Sequence, residues 1–302
     1  MAMTVTGASA TPAIDAGRTR ARRRRWLADV GWKYPFAAVI VFFSAFPLVY
    51  VLSAAIARSG TLTGSTSLFR SASMANFEAL ADTRFWTWAG NSLLVSGVTA
   101  IGSVMMGAAA AYAFSRFGFR GRRSGLTALL LIQMFPQMLA FVSIFLLLLT
   151  LGNVVPALGL NSHLALICVY LGGALGTNTF LMYGFFNTVP REIDEAARID
   201  GATHAQIYWL IILRLVTPIL AVVGLLSFIA TFGEFILARI ILTSEGNWTL
   251  AVGMYAWVSD QLNANWGLFA AGAVLAAVPI LALFLFLQKY IVGGLTAGSV
   301  KG

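Results

Sequence analysis

Arg191-Glu-Ile-Asp-Glu-Ala-Ala-Arg-Ile-Asp-Gly-Ala-Thr-His204 is the one sizeable polar interruption in the C-terminal half of a 302-residue chain. It carries Glu192, Asp194, Glu195 and Asp200, four of only 11 acidic residues, and lies between apolar runs at 163–186 and 215–242. A bilayer core takes about 20 apolar residues per helix, so both flanks read as membrane spans and the polar stretch as a hairpin outside the membrane. Pro190 suits a first helical turn, where its missing N–H costs nothing, and the carboxylates that follow favour the positive end of the helix dipole. Ile193, Ala196 and Ala197 fall along one side of this short helix as a small apolar contact face. Gly201 fits the left-handed stop. Thr203 with Gln206 forms a capping box for a second helix, which carries Ile207, Trp209 and Leu210 back toward the membrane. Such a helix-turn-helix offers a charged grip for a soluble partner.

Composition agrees with the flanks. The chain is 59% apolar and 10% charged, whereas about a quarter of residues are charged in soluble domains, so this is an integral membrane protein. Six stretches are long enough to span: 34–57, 89–114, 125–150, 163–186, 215–242 and 267–290. The expected fold is an all-α six-span helical bundle with both termini on one side. The Arg18–Arg25 cluster with Lys33, the group Arg116, Arg120, Arg122 and Arg123, then Arg191, Arg198 and Arg214, and finally Lys289 and Lys301 all fall on one face; Arg58, Arg70 and Arg84 fall on the other. The positive-inside rule makes the termini and the 187–214 loop cytoplasmic. The domain plan is a disordered basic N-terminus over 1–33, a membrane domain over 34–292 and a cytoplasmic tail over 293–302. The Arg cluster could meet nucleic acid or anionic lipid, but its place just before a span makes it a topology signal, with membrane lipid rather than nucleic acid as its neighbour.

Several chemistries are excluded. No lysine is followed by Ser or Thr, so there is no phosphate-binding loop and no ATP site of that kind. Cys168 has no partner and reads as a packing residue. His163 and His204 sit on opposite faces, so they make neither a metal pair nor the base of a hydrolase. A secondary transporter needs coupling carboxylates in several helices, and only Glu234 qualifies.

Pro47, Pro136, Pro218 and Pro279 bend the spans, and the glycines and alanines at 102–111 and 172–176 let helices approach closely. Pro136 is either a packing feature or a hinge or gate beside a pathway. Glu234 and Arg239 are the charges inside a span; about 140° apart on a helix, they are a poor pair. Arg239 can snorkel. Glu234 has three readings: permease interface or gate, structural hydrogen bonding, and substrate contact. The loop 243–266, with Glu245, Asn247, Trp248, Trp257, Asp260, Asn263, Asn265 and Trp266, suits either an interfacial aromatic belt or sugar recognition.

Glu195-Ala196-Ala197, then Asp200-Gly201-Ala202 and Ile211-Ile212-Leu213, resemble the signature of permease subunits of ATP-binding-cassette importers; Arg214 stands where that signature usually has Pro. Asn76-Phe77, Asn91-Ser92-Leu93, Gln133-Met-Phe-Pro136, Gly159-Leu-Asn161, Thr249-Leu-Ala-Val-Gly253-Met254 and the tail Gly293–Gly302 are similar to the G-type subunit of maltose/maltodextrin importers. The resemblance implies that the hairpin is a coupling helix docking into an ATPase subunit, and that tail residues Thr296, Gly298, Val300 and Lys301 reach the ATPase dimer. It implies that the loop with Glu245, Asn247 and Trp248 meets an extracytoplasmic sugar-binding protein, and that Pro136 and Glu234 belong to the pathway or to the interface with a second permease. It also implies that the stable sugar site lies mainly on that other permease. ATP and Mg are then held by the partner, no cofactor or metal by this chain, and the location is the bacterial inner membrane.

Overall fold

The computed structural model describes residues 30–57, 69, 72–259 and 264–297. Among these residues regular structure is helical, apart from one antiparallel bridge between Ala57 and Ala72. Helix α1, Lys33–Ala55, contains Pro47, and its length up to Ser53 belongs to a unit separate from the rest. The second unit holds α2 (Ala75–Ala79), α3 (Phe85–Arg116), α4 (Arg122–Gln133), α5 (Gln137–Gly152), α6 (His163–Phe186) and α7 (Arg191–Ile199). It continues with α8 (His204–Leu215), α9 (Thr217–Phe232), α10 (Ile236–Ile241), α11 (Leu250–Ala256) and α12 (Trp266–Ala297). Among the described residues four helices are each long and apolar enough to cross a membrane, and up to six spans result if each bent pair counts as one.

α3 is the spine of this unit. Its buried residues Ser92, Ser96, Ser103, Gly107, Ala111 and Ser115 recur at helical spacing and are all small. A Cβ on Gly107 would lie 3.2 Å from Met182 Sδ and 3.3 Å from Asn178 Cβ, so α6 packs with almost no side chain between the two backbones. At about 1.5 Å per residue α3 is about 48 Å long, which separates its two ends fully across a bilayer. One buried cluster joins Ala108, Met182, Phe186, Ala197, Ile212 and Val216 at the hairpin end, and another joins Val95, Leu166, Tyr170, Ala238, Ile241 and Val252 toward the other end.

Two of the expected spans are broken. The stretch 125–150 divides at Met134–Pro136 into α4 and α5, bent by 92°. Pro136 removes an N–H and drives the residue before it out of helical geometry, so the chain restarts at Gln137 with Pro136 in extended conformation. The stretch 215–242 divides at Gly233–Phe235 into α9 and α10. Val216 lies in the cluster at the hairpin end, while the Ile241 carbonyl accepts from Asn161 N at 2.7 Å just before α6 begins, so α9 and α10 together traverse the length of α6. Pro218 falls in the first turn of α9, next to the 78° bend from α8.

The last helix runs to Ala297, so the backbone of Gly293–Ala297, expected as tail, is helical. Extending an established helix through Gly293-Gly294 costs only about 1 kcal/mol per glycine. The expectations for 1–29, Arg58, Arg70, Asp260, Asn263, Gly298, Val300 and Lys301 lie outside the described residues, and Thr296 is placed by its backbone alone.

Candidate functional site

The polar hairpin folds as its caps dictate. Ala202 N donates to Ala197 O at 2.9 Å and Gly201 N to Arg198 O at 3.0 Å, closing α7 with Gly201 at φ 85°, the left-handed conformation that glycine adopts most readily. Thr203 and Gln206 form a reciprocal capping box at the start of α8. The segment Ile207–Ile212 then winds as a π-helix, with Ile207 and Ile212 buried. The apolar side of α7 differs from the expected contact face: Ala197 is buried and Ile193 half-buried against the chain's own core, whereas Ala196 faces solvent. Glu195, Ala196, Asp200 and Gly201 point outward, with Ile199 beside them 87% exposed; Ala202 is half-buried.

Beside this apolar packing, an ion pair ties the hairpin to the spans. Arg116 Nε, at the last turn of α3, lies 3.0 Å from Asp194 Oδ2, with side chains only 4% and 6% exposed. The alignment is not that of a hydrogen bond, and both carboxylate oxygens lack any other partner among the described residues, so the hold on Asp194 is Coulombic. Arg116 also donates to Val189 O at 3.0 Å, and Arg191 donates to Ser115 O at 2.9 Å. In the sequence Arg116 counts only toward topology; its role as an anchor needs the fold.

At the opposite end of α3 three motifs distant in sequence converge on one loop. Asn161 Oδ1 accepts from the backbone N–H of Thr243 and Ser244 at 3.1 and 2.9 Å, and Asn247 Nδ2 donates to Asn161 O at 2.8 Å. Asn91 Nδ2 donates to the carbonyls of Gly246 and Trp248, each at 2.9 Å, and Trp88 Nε1 to that of Glu245 at 2.9 Å. Ser92 Oγ accepts from Leu250 N at 2.7 Å. Trp248 is packed under Arg239, whose guanidinium carbon is 5.2 Å from the ring centroid, and Trp88 lies between Trp248 and Trp257 at 6.1 and 5.5 Å. The half-buried indoles of Trp248 and Trp257 thus pack on Trp88 in one aromatic cluster. Asn247 is likewise engaged, which leaves Glu245 as the member of the expected Glu245, Asn247 and Trp248 set that presents its side chain to solvent, 3.7 Å from Arg84. Asn265 caps α12 by accepting from Leu268 N at 3.0 Å.

Between the two ends the broken spans border an open-sided cavity of about 480 Å³, lined from α4, α5, α6, α9 and α10. Glu234 occupies the break between α9 and α10. Its Oε1 accepts from Leu237 N at 2.9 Å, and its Oε2 accepts from Ala238 N at 3.0 Å and from Tyr170 Oη at 2.6 Å. The carboxylate therefore caps α10, a role that favours negative charge at a helix N-terminus. No ion pair links it to Arg239 among the described residues. Across the cavity Gln133, the last residue of α4, donates to Gly173 O at 2.8 Å and accepts from the Thr177 hydroxyl. Gly176 permits this approach, because a Cβ there would sit 2.8 Å from Gln133 Nε2. The cavity is lined by Phe135 and Gln137, on either side of Pro136. Replacing Glu234 by alanine should cost about 0.5–2 kcal/mol for the lost cap and about 1–3 kcal/mol for the orphaned Tyr170 hydroxyl. A melting curve of the purified protein checks this, with Glu234→Gln expected to fall between wild type and alanine.

Non-helical backbone at this depth is tolerated only inside protein or beside a water-filled cavity, and discontinuous spans around a polar cavity near mid-membrane are an architecture of transport proteins. The fold and this site define a multi-pass membrane transport subunit. The chain belongs to the family of binding-protein-dependent transport system inner membrane components, whose sequence profile matches residues 103–296. It is 39% identical over 270 residues to the maltodextrin transport system permease protein MdxG of Bacillus subtilis, covering 89% of this chain and 95% of that one. It is 47% identical over 216 residues to the maltose/maltodextrin transport system permease protein MalG of Vibrio parahaemolyticus, covering 72% of each. A solved bacterial ABC transporter involved in import of the acidic polysaccharide alginate shares the fold, with a TM-score of 0.75 at 23% identity over 88% of this chain and 98% of that one.

Proposed function

We propose that this chain is one of two permease subunits of an ATP-driven maltose/maltodextrin importer, forming half of the translocation path and coupling it to a separate ATPase. The observation that carries the coupling is the hairpin: its inward face is locked to α3 by Arg116 and Asp194, and its outward face presents Glu195, Ala196, Ile199 and Asp200 to a partner. A lever of this kind converts movement of a docked ATPase into tilting of the spans. ATP and magnesium belong to that partner, and hydrolysis takes place there. The hairpin and termini face the cytoplasm, and the loop around Glu245 faces an extracytoplasmic sugar-binding protein. The substrate is supported by the names of the relatives. A galactooligosaccharide is the second reading, because the chain is also 37% identical over 271 residues to the galactooligosaccharides transport system permease protein GanQ of Bacillus subtilis.

The test is coexpression with a second permease, the ATPase and the binding protein, followed by ATPase assay in lipid discs. Copurification of all membrane subunits, with hydrolysis stimulated by binding protein loaded with maltodextrin but not galactooligosaccharide, is the expected result. Recovery of the chain alone, still moving sugar without ATP, would sink the reading. Ile199→Asp places a charge in the centre of the outward face. Loss of a contact worth about 2 kcal/mol weakens ATPase docking about 30-fold, so copurification and uptake should fall while membrane insertion stays normal.

A further inference from the structure

We infer that the apolar cleft between α3 and α12, in the half of the bundle away from the hairpin, holds one acyl chain of a membrane phospholipid whose phosphate lies at Arg84. The cleft has a volume of about 250 Å³ and shares no lining residue with the cavity at the broken spans. Its floor is formed by buried Phe85, Phe232 and Leu250. None of the described lining side chains carries a charge or a hydroxyl, so its occupant is apolar there.

Depth and shape favour a single hydrocarbon chain. Phe85 and Trp86 open α3 and Leu93 lies about 12 Å further along it, while Leu275 and Pro279 lie about 14–20 Å from the start of α12 at Trp266. The cleft therefore sits at the depth of one leaflet, about 15 Å of hydrocarbon. Its mouth is open to the surroundings, since Trp86, Leu93 and Val278 on its rim are exposed. Pro279 withholds the N–H that the Leu275 carbonyl would accept, and both residues line the cleft, so the interruption in α12 falls where the gap is. A helix with its side chains is about 10–12 Å across, too wide to enter such a space, whereas an acyl chain bends into it. Lipid tails gain no hydrophobic free energy by moving onto protein, but an unfilled cleft forfeits dispersion contacts along its whole lining, and a chain that fills it restores them.

Charge places the headgroup. Arg84 is the N-cap residue of α3, one position before Phe85 in the cleft floor. Its contact with Glu245, 3.7 Å through Nε with both side chains more than half exposed, is a loose surface pair that leaves donors of the guanidinium free for a phosphate. Trp86, 63% exposed in the first turn of α3, stands beside it, and an indole at that level suits the boundary between headgroup and hydrocarbon. Cation, indole and apolar cleft thus follow one another in the order of phosphate, glycerol and acyl chain.

The test uses the complete importer in lipid discs that contain phosphatidylglycerol with a diazirine midway along one acyl chain, photolysed before and after exchange into detergent. Leu93, Leu275, Ala276 and Val278 are expected to keep their label about tenfold better than exposed Leu281 and Leu285 of the same α12, a difference of about 1.4 kcal/mol. Ala276→Phe fills the cleft and should remove that advantage; Ala89→Leu does so from α3 if the first variant assembles poorly. Arg84→Gln should weaken retention about fivefold, about 1 kcal/mol, as for one cation near an anionic headgroup. The site is overturned if label is lost from the cleft in step with Leu281 and Leu285, or if both filling variants keep the wild-type pattern. It is overturned equally if the cleft never labels while Leu281 and Leu285 do, which would mean that a helix of the second permease covers it. Unchanged retention in Arg84→Gln would overturn the place of the phosphate. Labelling is read without uptake, so none of these results bears on the importer reading.

Discussion

Asp194→Ala is expected to abolish uptake and to lower the stability of the hairpin end by about 3–5 kcal/mol, the usual cost of removing one partner of a buried ion pair. Arg116 would be left charged and enclosed, with Val189 O its remaining well-placed acceptor beyond its own turn. Arg116→Ala should be at least as harmful, because the Asp194 carboxylate accepts no aligned hydrogen bond among the described residues and would lose its counter-charge entirely. The pair is nonetheless replaceable in principle. Apolar residues of similar volume often match a buried ion pair in stability, so Arg116→Met with Asp194→Leu should recover most of the melting temperature lost by either single variant. Uptake separates the two roles. If the ion pair serves as a rigid linkage, the double variant will be stable yet transport poorly; full recovery of uptake would show that packing alone transmits the movement.

Gly253→Ala should be the most disruptive single-methyl change at the other end. A Cβ there would stand 2.1 Å from Trp88 Cδ2 and Cε3, far inside van der Waals contact, and the obstacle is a rigid ring. Trp88 cannot yield freely, since it donates to Glu245 O and packs against Trp248 and Trp257. Overpacking of this kind costs about 1–3 kcal/mol, occasionally more, and displaces the loop around Glu245. Response to the binding protein should fall while ATPase copurification persists. Gly97→Ala is the control: nothing lies within 4 Å of its added carbon, and it sits in α3, the helix that carries Trp88, so it should be neutral or slightly stabilising. A double-mutant cycle with Trp88→Phe checks the mechanism, because a smaller ring should reduce the penalty of Gly253→Ala.

Much of the hairpin was legible from residue order because its determinants are local. Gly201, Thr203 and Gln206 act on backbone within a few positions, and each occupies the role its chemistry implies. The apolar side of α7 was not, since Ile193 and Ala197 could serve either an external partner or the chain's own core. That choice depends on where α3 and α6 stand. The same ambiguity held for Trp248 and Trp257: composition allows a membrane belt or a sugar platform, and the tilted ring packing with Trp88 comes from a residue about 160 positions away.

The apolar runs, the polar hairpin between them and the distribution of Arg determined by themselves that this chain lives in a membrane and which segments leave it, because transfer of side chains and backbone into hydrocarbon depends on each segment alone. Pro136 likewise announced a break in its own span. The tertiary structure alone decided that this break faces a second one at Gly233–Phe235, that Tyr170 and Glu234 meet across 64 positions, and that Arg116 meets Asp194. Burying a charge or opening a helix at mid-membrane is tolerable only when a partner from another segment satisfies the exposed groups, and partners of that kind are chosen by packing rather than by neighbourhood in the chain.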